Sequence, residues 1–308
     1  MTGVGLCWGK NRLYRNLWRK SWLKLFPALI PFTLFFVGGI ALTMIQSLGM
    51  MNPLVHYDSM WTAYKIVFTH AHFMKSIVFS FYVAFVSAGL SIVFGTLLSY
   101  GIWHLPGILQ NKTVVYKIPI VLPHIAVAFI TMIFLSRSGI IASVCYHLGI
   151  ISQMEQFPNL IFSRYGVGEI IAYIVKETSF VTLMVMSVLM KFDKRYIQTA
   201  RQLGAGEIRI FLSVVLPHLK EILTTTFLIL FIYSFGAFEI PYILGSSTPG
   251  MLSLQVYDYY FRHDLSQRPI AMALLVILFL ISSLFTYFYF MISNKLGSKW
   301  DFVDKGKV

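Results

Sequence analysis

Long apolar segments dominate this sequence and restrict what it can fold into. A transmembrane helix needs about 20 mostly apolar residues. Candidate segments cover residues 25–48, 76–103, 114–136, 167–190, 222–244 and 270–293. Because lipid offers the backbone no hydrogen bonds, each segment must pair its own N–H and C=O groups as an α-helix. The sequence therefore predicts an all-α, polytopic membrane protein with six transmembrane helices.

The distribution of basic residues predicts the topology of these helices. Only 12% of residues are charged, against about 25% in a soluble protein. With six crossings, 18 of the 25 Lys and Arg residues fall on one side and six on the other. Cytoplasmic loops carry such an excess, so both termini are predicted to be cytoplasmic. The positive charge thus indicates membrane lipid rather than nucleic acid as the partner.

Two segments leave alternatives open. The apolar run that starts at residue 25 is longer than the apolar region of a signal peptide, about 7–15 residues, and is predicted to remain as the first helix. Segment 138–154 is uncharged, fairly apolar and short; it is predicted to be a surface or re-entrant helix, because a seventh crossing would invert the basic-residue bias.

The most patterned polar segment is residues 191–221, which we call the coupling loop. Its sequence predicts two short amphipathic helices separated by a turn at Gly204, which suits the left-handed position after a helix. Pro217 is placed where a new helix can start. Apolar residues at helical spacing are expected to form the packing faces: Ile197, Ala200 and Leu203, then Ile208, Phe211, Leu212 and Val215. The alternative is a helical hairpin lying on lipid headgroups.

A motif in the coupling loop resembles a known family. Residues 198–204 read Gln-Thr-Ala-Arg-Gln-Leu-Gly, and nine residues later 214–217 read Val-Val-Leu-Pro. This resembles the cytoplasmic loop of permease subunits in binding-protein-dependent (type I) ABC importers, although Gln198 replaces Glu and Thr199 replaces Ala. The resemblance implies that the ATPase-coupling residues are Gln198, Thr199, Ala200, Arg201, Gln202, Leu203, Gly204, Ala205, Leu216 and Pro217.

The resemblance also implies the molecular setting. It predicts a prokaryotic inner-membrane location, a cytoplasmic ABC ATPase dimer, an extracytoplasmic solute-binding protein and a second permease, homologous rather than identical. The resemblance covers a permease core (69–293), and the predicted topology adds a basic cytoplasmic arm (1–24), a first helix with external loop (25–68) and a cytoplasmic tail (294–308). ATP is expected on the partner subunit, so the chain itself is predicted to need no cofactor and to catalyse no reaction.

The substrate expectation comes from two further segments. Residues 231–245 and 264–273 resemble the spermidine/putrescine-type branch, which implies a polyamine. Ferric iron, thiamine and phosphonate permeases are the alternatives within the family. A secondary transporter or an integral membrane enzyme are the alternatives from other classes; no metal-site spacing or nucleophile motif supports the latter.

Ionisable residues within the spans are candidates for the translocation pathway. Such groups are costly in lipid and should face a cavity or one another. The candidates are Lys176, Glu177, Glu239, His124 and Tyr242. The alternative for each is a polar contact that fixes helix packing. Gly236 and Pro241 predict an interruption of the fifth helix, and the small residues Ser87, Ala88, Gly89 and Gly95 predict close helix contact.

Overall fold

The computed structural model describes residues 6–51, 59–106, 115, 117–246 and 248–298. Within these residues the chain is built from helices, with no strand. The α-helices, α1 to α13 in order, are Leu6–Ser47, Thr62–Thr69, Ala71–His104, Ile118–Val121, His124–Leu135, Ile140–His147, Val167–Leu189, Arg195–Gln202, Glu207–Ile210, Leu216–Gly236, Glu239–Leu244, Leu252–Tyr257 and Arg268–Ser298. The side chains of the predicted basic arm and tail lie outside the described residues.

The prediction of an all-α protein with six transmembrane helices is confirmed. Among the residues described, six helical stretches are long and apolar enough to cross a membrane: Leu25–Ser47, Ala71–His104, His124–His147, Val167–Leu189, Glu207–Gly236 and Leu265–Ser293. Helices α3, α7 and α10 pack on one another and form the centre, while α1 packs on α13. Large apolar side chains cover much of the outer surface, as expected where lipid is the solvent.

The third apolar stretch begins later than predicted. The span is predicted at 114–136 with a separate helix in 138–154, and the apolar helical stretch of the structure covers His124–His147. Proline explains the late start, because Leu122 precedes Pro123 and is extended, which ends α4 at Val121. A turn closed by the Gly139 N–H on the Ser136 carbonyl at 2.8 Å then separates α5 from α6. Residues 140–147 therefore form a separate short helix inside the predicted segment 138–154.

The fifth span was predicted at 222–244; the structure extends its helix backwards and confirms its interruption. The helical backbone continues from Glu207 through a π-helix at Phe211–Val215 into α10, so Pro217 lies in the first turn of α10 without a new start. The predicted interruption is confirmed: α10 ends at Gly236, Ala237 is extended, and α11 begins at Glu239. The apolar pattern alone could not show that the helix of this span extends back into the coupling loop.

Candidate functional site

The coupling loop contains the turn that its glycine predicts. Gly204 has φ +80°, and its N–H bonds to the Arg201 carbonyl at 2.9 Å. The Ala205 N–H bonds to the Ala200 carbonyl at 3.0 Å. These two bonds end α8 in a Schellman motif. The carboxylate of Glu207 also accepts from the Arg201 guanidinium at 2.7 Å, across the turn. The loop is therefore a defined hairpin of α8 and α9.

The apolar faces of this hairpin are not as predicted. Ile197 is buried and Ala200 packs against the core, but Leu203 is 83% exposed and Ile208 is 77% exposed. Helical periodicity identifies which residues share a face, but the turn directs these two away from the protein. Their exposure at the tip provides an apolar contact surface on both sides of Gly204. Among the other predicted coupling residues, Ala205 and Leu216 are half-buried and the remainder are exposed.

Aromatic contacts fix the base of the hairpin to the transmembrane helices. The Phe192 ring lies 5.8 Å from Trp103 at the end of α3 and 4.9 Å from His218 in α10. Lys194 lies over the Trp103 ring at 5.4 Å, and Phe211 lies 4.7 Å from Tyr100. A displacement of the hairpin must therefore act on both α3 and α10. Sequence reasoning missed the α3 contact, because Trp103 is almost 90 residues away from the loop.

A polar cluster lies where the third and fifth spans are interrupted. His124 begins α5, Glu239 begins α11, and Lys176 is in the middle of α7. The Lys176 ammonium donates to the carbonyl of Leu122, and the charge of Glu239 acts on both Lys176 and His124. The His124 ring lies 4.9 Å from the Tyr233 ring. Three of the predicted pathway residues are therefore brought together.

Glu177 lies on another face of α7 and has different surroundings. It is 3% exposed. Ser91 of α3 donates to one of its oxygens at 2.8 Å, and Ser234 of α10 donates to the other. The carboxylate thus joins the three central helices, which is the geometry expected of the packing alternative.

Tyr242 belongs to a separate aromatic group. Its ring lies 5.1 Å from Phe238 and 5.4 Å from Tyr257. The guanidinium of Arg262 lies 5.9 Å from the Tyr242 ring and 5.6 Å from the Tyr257 ring. Tyr257 and Phe238 also line a cavity of about 380 Å³ beside Gly236. Aromatic faces and a cation are thus grouped beyond the interruption of the fifth span.

Substitution Lys176→Met is expected to lower the thermal stability of the folded protein. The half-buried carbonyl of Leu122 would lose the ammonium of Lys176 as its donor, and an intramolecular hydrogen bond contributes about 0.5–1.5 kcal/mol. The thermal midpoint of the detergent-solubilised protein measures the effect. Lys191→Met, at an exposed position just after α7, is the matched control and should leave the midpoint unchanged. Equal midpoints in the two variants would show that the hydrogen bond from Lys176 to Leu122 does not stabilise the fold.

Comparisons with known proteins agree with this architecture. The profile of the family described as binding-protein-dependent transport system inner membrane component matches residues 113–297. The chain is 29% identical over 119 residues to the sulfoquinovosyl glycerol transport system permease protein of Agrobacterium fabrum, covering 38% of this chain and 39% of that protein. It is 28% identical over 129 residues to the trehalose/maltose transport system permease protein of Thermococcus litoralis, covering 41% and 43%.

The partial coverage of these relatives limits which of their properties can be inferred for this chain. The chain spans about two-fifths of the length of the curated relatives that it matches. Their names refer to sugar transport, so they do not support the spermidine/putrescine-type branch that the sequence analysis favours.

Solved structures show the same fold. A bacterial ABC transporter that imports the acidic polysaccharide alginate contains a chain similar to this one with a TM-score of 0.76, at 18% identity, covering 92% of this chain and 99% of that chain. A chain of the methionine ABC transporter matches with a TM-score of 0.52, at 19% identity, covering 72% and 94%. Because the family profile matches more than half of the sequence, the chain belongs to the inner-membrane components of binding-protein-dependent transport systems.

Proposed function

We propose that this chain is the permease subunit of an ATP-driven importer and that its substrate is a saccharide. The observation that carries the proposal is the hairpin of the coupling loop, whose exposed Leu203 and Ile208 flank Gly204. Exposed apolar side chains on a defined turn are typical of a protein contact. The hairpin continues without interruption into α10, so a partner bound at the tip can move a transmembrane helix.

The proposed partners are supported by this geometry and by the family. A dimer of cytoplasmic ATPase subunits contacts the hairpin tips of two permeases, this chain and a homologous partner. A solute-binding protein delivers the substrate from the opposite face. The chain catalyses no bond chemistry; ATP, bound by its partner, shifts the permease between two conformations by binding one of them more tightly.

The polar cluster favours a saccharide over a polyamine. The Glu177 carboxylate already accepts hydrogen bonds from the hydroxyls of Ser91 and Ser234. The Glu239 carboxylate lies near the positively charged Lys176. A polycation would therefore meet one carboxylate and a repelling ammonium. The aromatic faces of Tyr242 and Tyr257, by contrast, suit the C–H face of a sugar ring, and a few polar groups can bind its hydroxyls. The relatives named for sulfoquinovosyl glycerol and for trehalose/maltose support the same class.

Uptake by the reconstituted transporter tests the proposal. Proteoliposomes containing this chain, its partner permease, the ATPase and the solute-binding protein would be offered labelled disaccharides, a glycosyl glycerol, an oligouronate and putrescine. We expect ATP-dependent accumulation of at least one of the saccharides and none of putrescine. Accumulation of putrescine alone would overturn the substrate class. Uptake that continues without ATP would overturn the importer mechanism in favour of a secondary transporter.

A further inference from the structure

Two cavities lie between α1 and α13, the helices of the first and last spans. The first, which we call the polar cavity, has a volume of about 200 Å³ and is lined by Gln46 of α1 and by Arg268 and Pro269 of α13. The second, which we call the apolar groove, has a volume of about 290 Å³ and lies between residues 35–44 of α1 and 275–279 of α13. Both cavities therefore follow the same seam between the two helices.

The order of the cavities along the helices gives their depth. The Tyr289 hydroxyl of α13 donates to the Thr224 carbonyl in the first half of α10 at 3.0 Å, so this part of α13 lies toward the coupling loop. Arg268 is about 30 Å further back along α13, which is about the thickness of the hydrocarbon core. The groove residues Leu275 to Phe279 lie about 10–16 Å from Arg268 along the axis. The polar cavity is thus at the membrane surface, and the groove extends through the adjoining leaflet.

Arg268 provides a positioned cation in the polar cavity. Its guanidinium lies over the Tyr260 ring, 4.6 Å from the centroid, and this stacking leaves the N–H groups at its edge available. The Nε atom is buried and has no hydrogen-bond partner within the part of the chain that the structure describes. A buried donor without an acceptor is costly, and the guanidinium fork matches the geometry of a phosphate. The polar cavity therefore suits a phosphate group, to which the Gln46 amide can also donate.

The apolar groove suits a hydrocarbon chain. Phe35 is 77% exposed and Phe36 is 57% exposed, and a Cβ at Gly39 would meet nothing within 4 Å. The Thr43 hydroxyl donates to the Gly39 carbonyl of its own helix at 2.8 Å, so its polarity is satisfied without a ligand. A free phosphate would leave this groove empty, and an apolar helix of another subunit would leave Arg268 without an anion. An amphipathic molecule fills both.

We propose that the polar cavity and the apolar groove together bind one membrane phospholipid, with its phosphate on Arg268 and Gln46 and an acyl chain between α1 and α13. The charge of Arg268 selects the headgroup, and the depth of the groove matches one leaflet. Because α1 packs chiefly on α13, the bound lipid would help to hold α1 on the rest of the protein. This site is separate from the coupling loop and from the polar cluster.

Native mass spectrometry of the full-length protein in its native assembly tests the proposal. The delipidated protein in detergent is titrated with phosphatidylglycerol, and we expect wild type to bind one lipid per chain at the lowest concentrations. Arg268→Gln removes the cation, and Gly39→Leu fills the groove. Each substitution should weaken binding about tenfold, because one removes a charge-assisted hydrogen bond and the other displaces methylene groups of the chain.

Two matched controls accompany these variants. Arg137→Gln removes an exposed arginine, and Gly38→Leu adds the same side chain at the neighbouring glycine, where a Cβ also meets nothing within 4 Å. Neither residue lines the polar cavity or the apolar groove. Both variants should therefore bind phosphatidylglycerol as wild type does.

Two partial ligands separate the two contacts. Diacylglycerol has the chains without the phosphate and should bind wild type and Arg268→Gln equally weakly. Glycerol 3-phosphate has the phosphate without the chains and should not displace phosphatidylglycerol, even in large excess. Displacement by glycerol 3-phosphate would identify a phosphate site open to water and would overturn the assignment to a lipid.

Two further results would overturn the proposal. Equal affinity of Arg268→Gln and Arg137→Gln for phosphatidylglycerol would show that Arg268 does not hold the headgroup. If wild type binds no lipid, and Gly39→Leu but not Gly38→Leu reduces assembly with other subunits, the groove is the seat of another transmembrane helix. Each of these results leaves the proposed importer function unaffected, since uptake is measured separately.

Discussion

Exchanging Gly204 for valine is expected to lower ATP-driven uptake about tenfold while the protein remains in the membrane. Gly204 has φ +80°, and the left-handed conformation costs an L-residue roughly 1–2 kcal/mol. A β-branched side chain is at the upper end of that range. About 1.4 kcal/mol corresponds to a tenfold change in an equilibrium constant. The valine variant should therefore adopt the hairpin with a left-handed residue 204, the form proposed to contact the ATPase, about tenfold less often.

Gly206 provides a matched control for this prediction. It lies two residues further along the same turn, and a Cβ would meet nothing within 4 Å at either glycine. Gly206, however, has φ −75°, which any residue adopts. Gly206→Val should therefore retain uptake and stimulated ATP hydrolysis, and Gly204→Val should lose both. Equal retention in the two variants would show that the left-handed turn does not determine contact with the ATPase.

The parts of the fold that were predictable are those set by local sequence. Six apolar runs predict six spans because a helix of about 20 residues crosses the hydrocarbon. The turn at Gly204 was predictable because few residues tolerate its conformation. The start of the third span was predicted too early, because the apolar pattern does not show that one helix ends before Pro123 and that the next begins at His124.

The site was less predictable, because its contacts join distant parts of the chain. Lys176, Glu239 and His124 could be selected as costly polar groups within apolar runs. Their grouping depends on where α5 and α11 begin, which depends on tertiary packing. The partners of Glu177 lie 86 and 57 residues away in sequence, at Ser91 and Ser234. Serine is common in membrane helices and gives no signal of such a role.

Replacing Gly95 by leucine is expected to prevent normal folding of the core. A Cβ at Gly95 would lie 2.5 Å from the Val181 Cβ and 3.0 Å from the Thr178 carbonyl oxygen. Both are on α7, the helix against which α3 packs. Overpacking costs about 1–3 kcal/mol where side chains can adjust. A clash with Cβ and backbone atoms leaves little adjustment, so Gly95→Leu should lower both the yield of folded protein and its thermal midpoint.

The prediction of close contact through small residues was correct for Gly95 and wrong for Gly89, and this difference supplies the control. Gly89 lies on the same helix but a Cβ there would meet nothing within 4 Å. Gly89→Leu adds the same side chain toward open space, where an apolar group is compatible with lipid, so its midpoint should match wild type. If both variants unfold at the same temperature, the helices α3 and α7 do not approach closely at Gly95. If only Gly95→Leu is destabilised, the close packing of α3 on α7 requires a glycine at position 95. That packing also places Ser91, one helical turn before Gly95, beside Glu177.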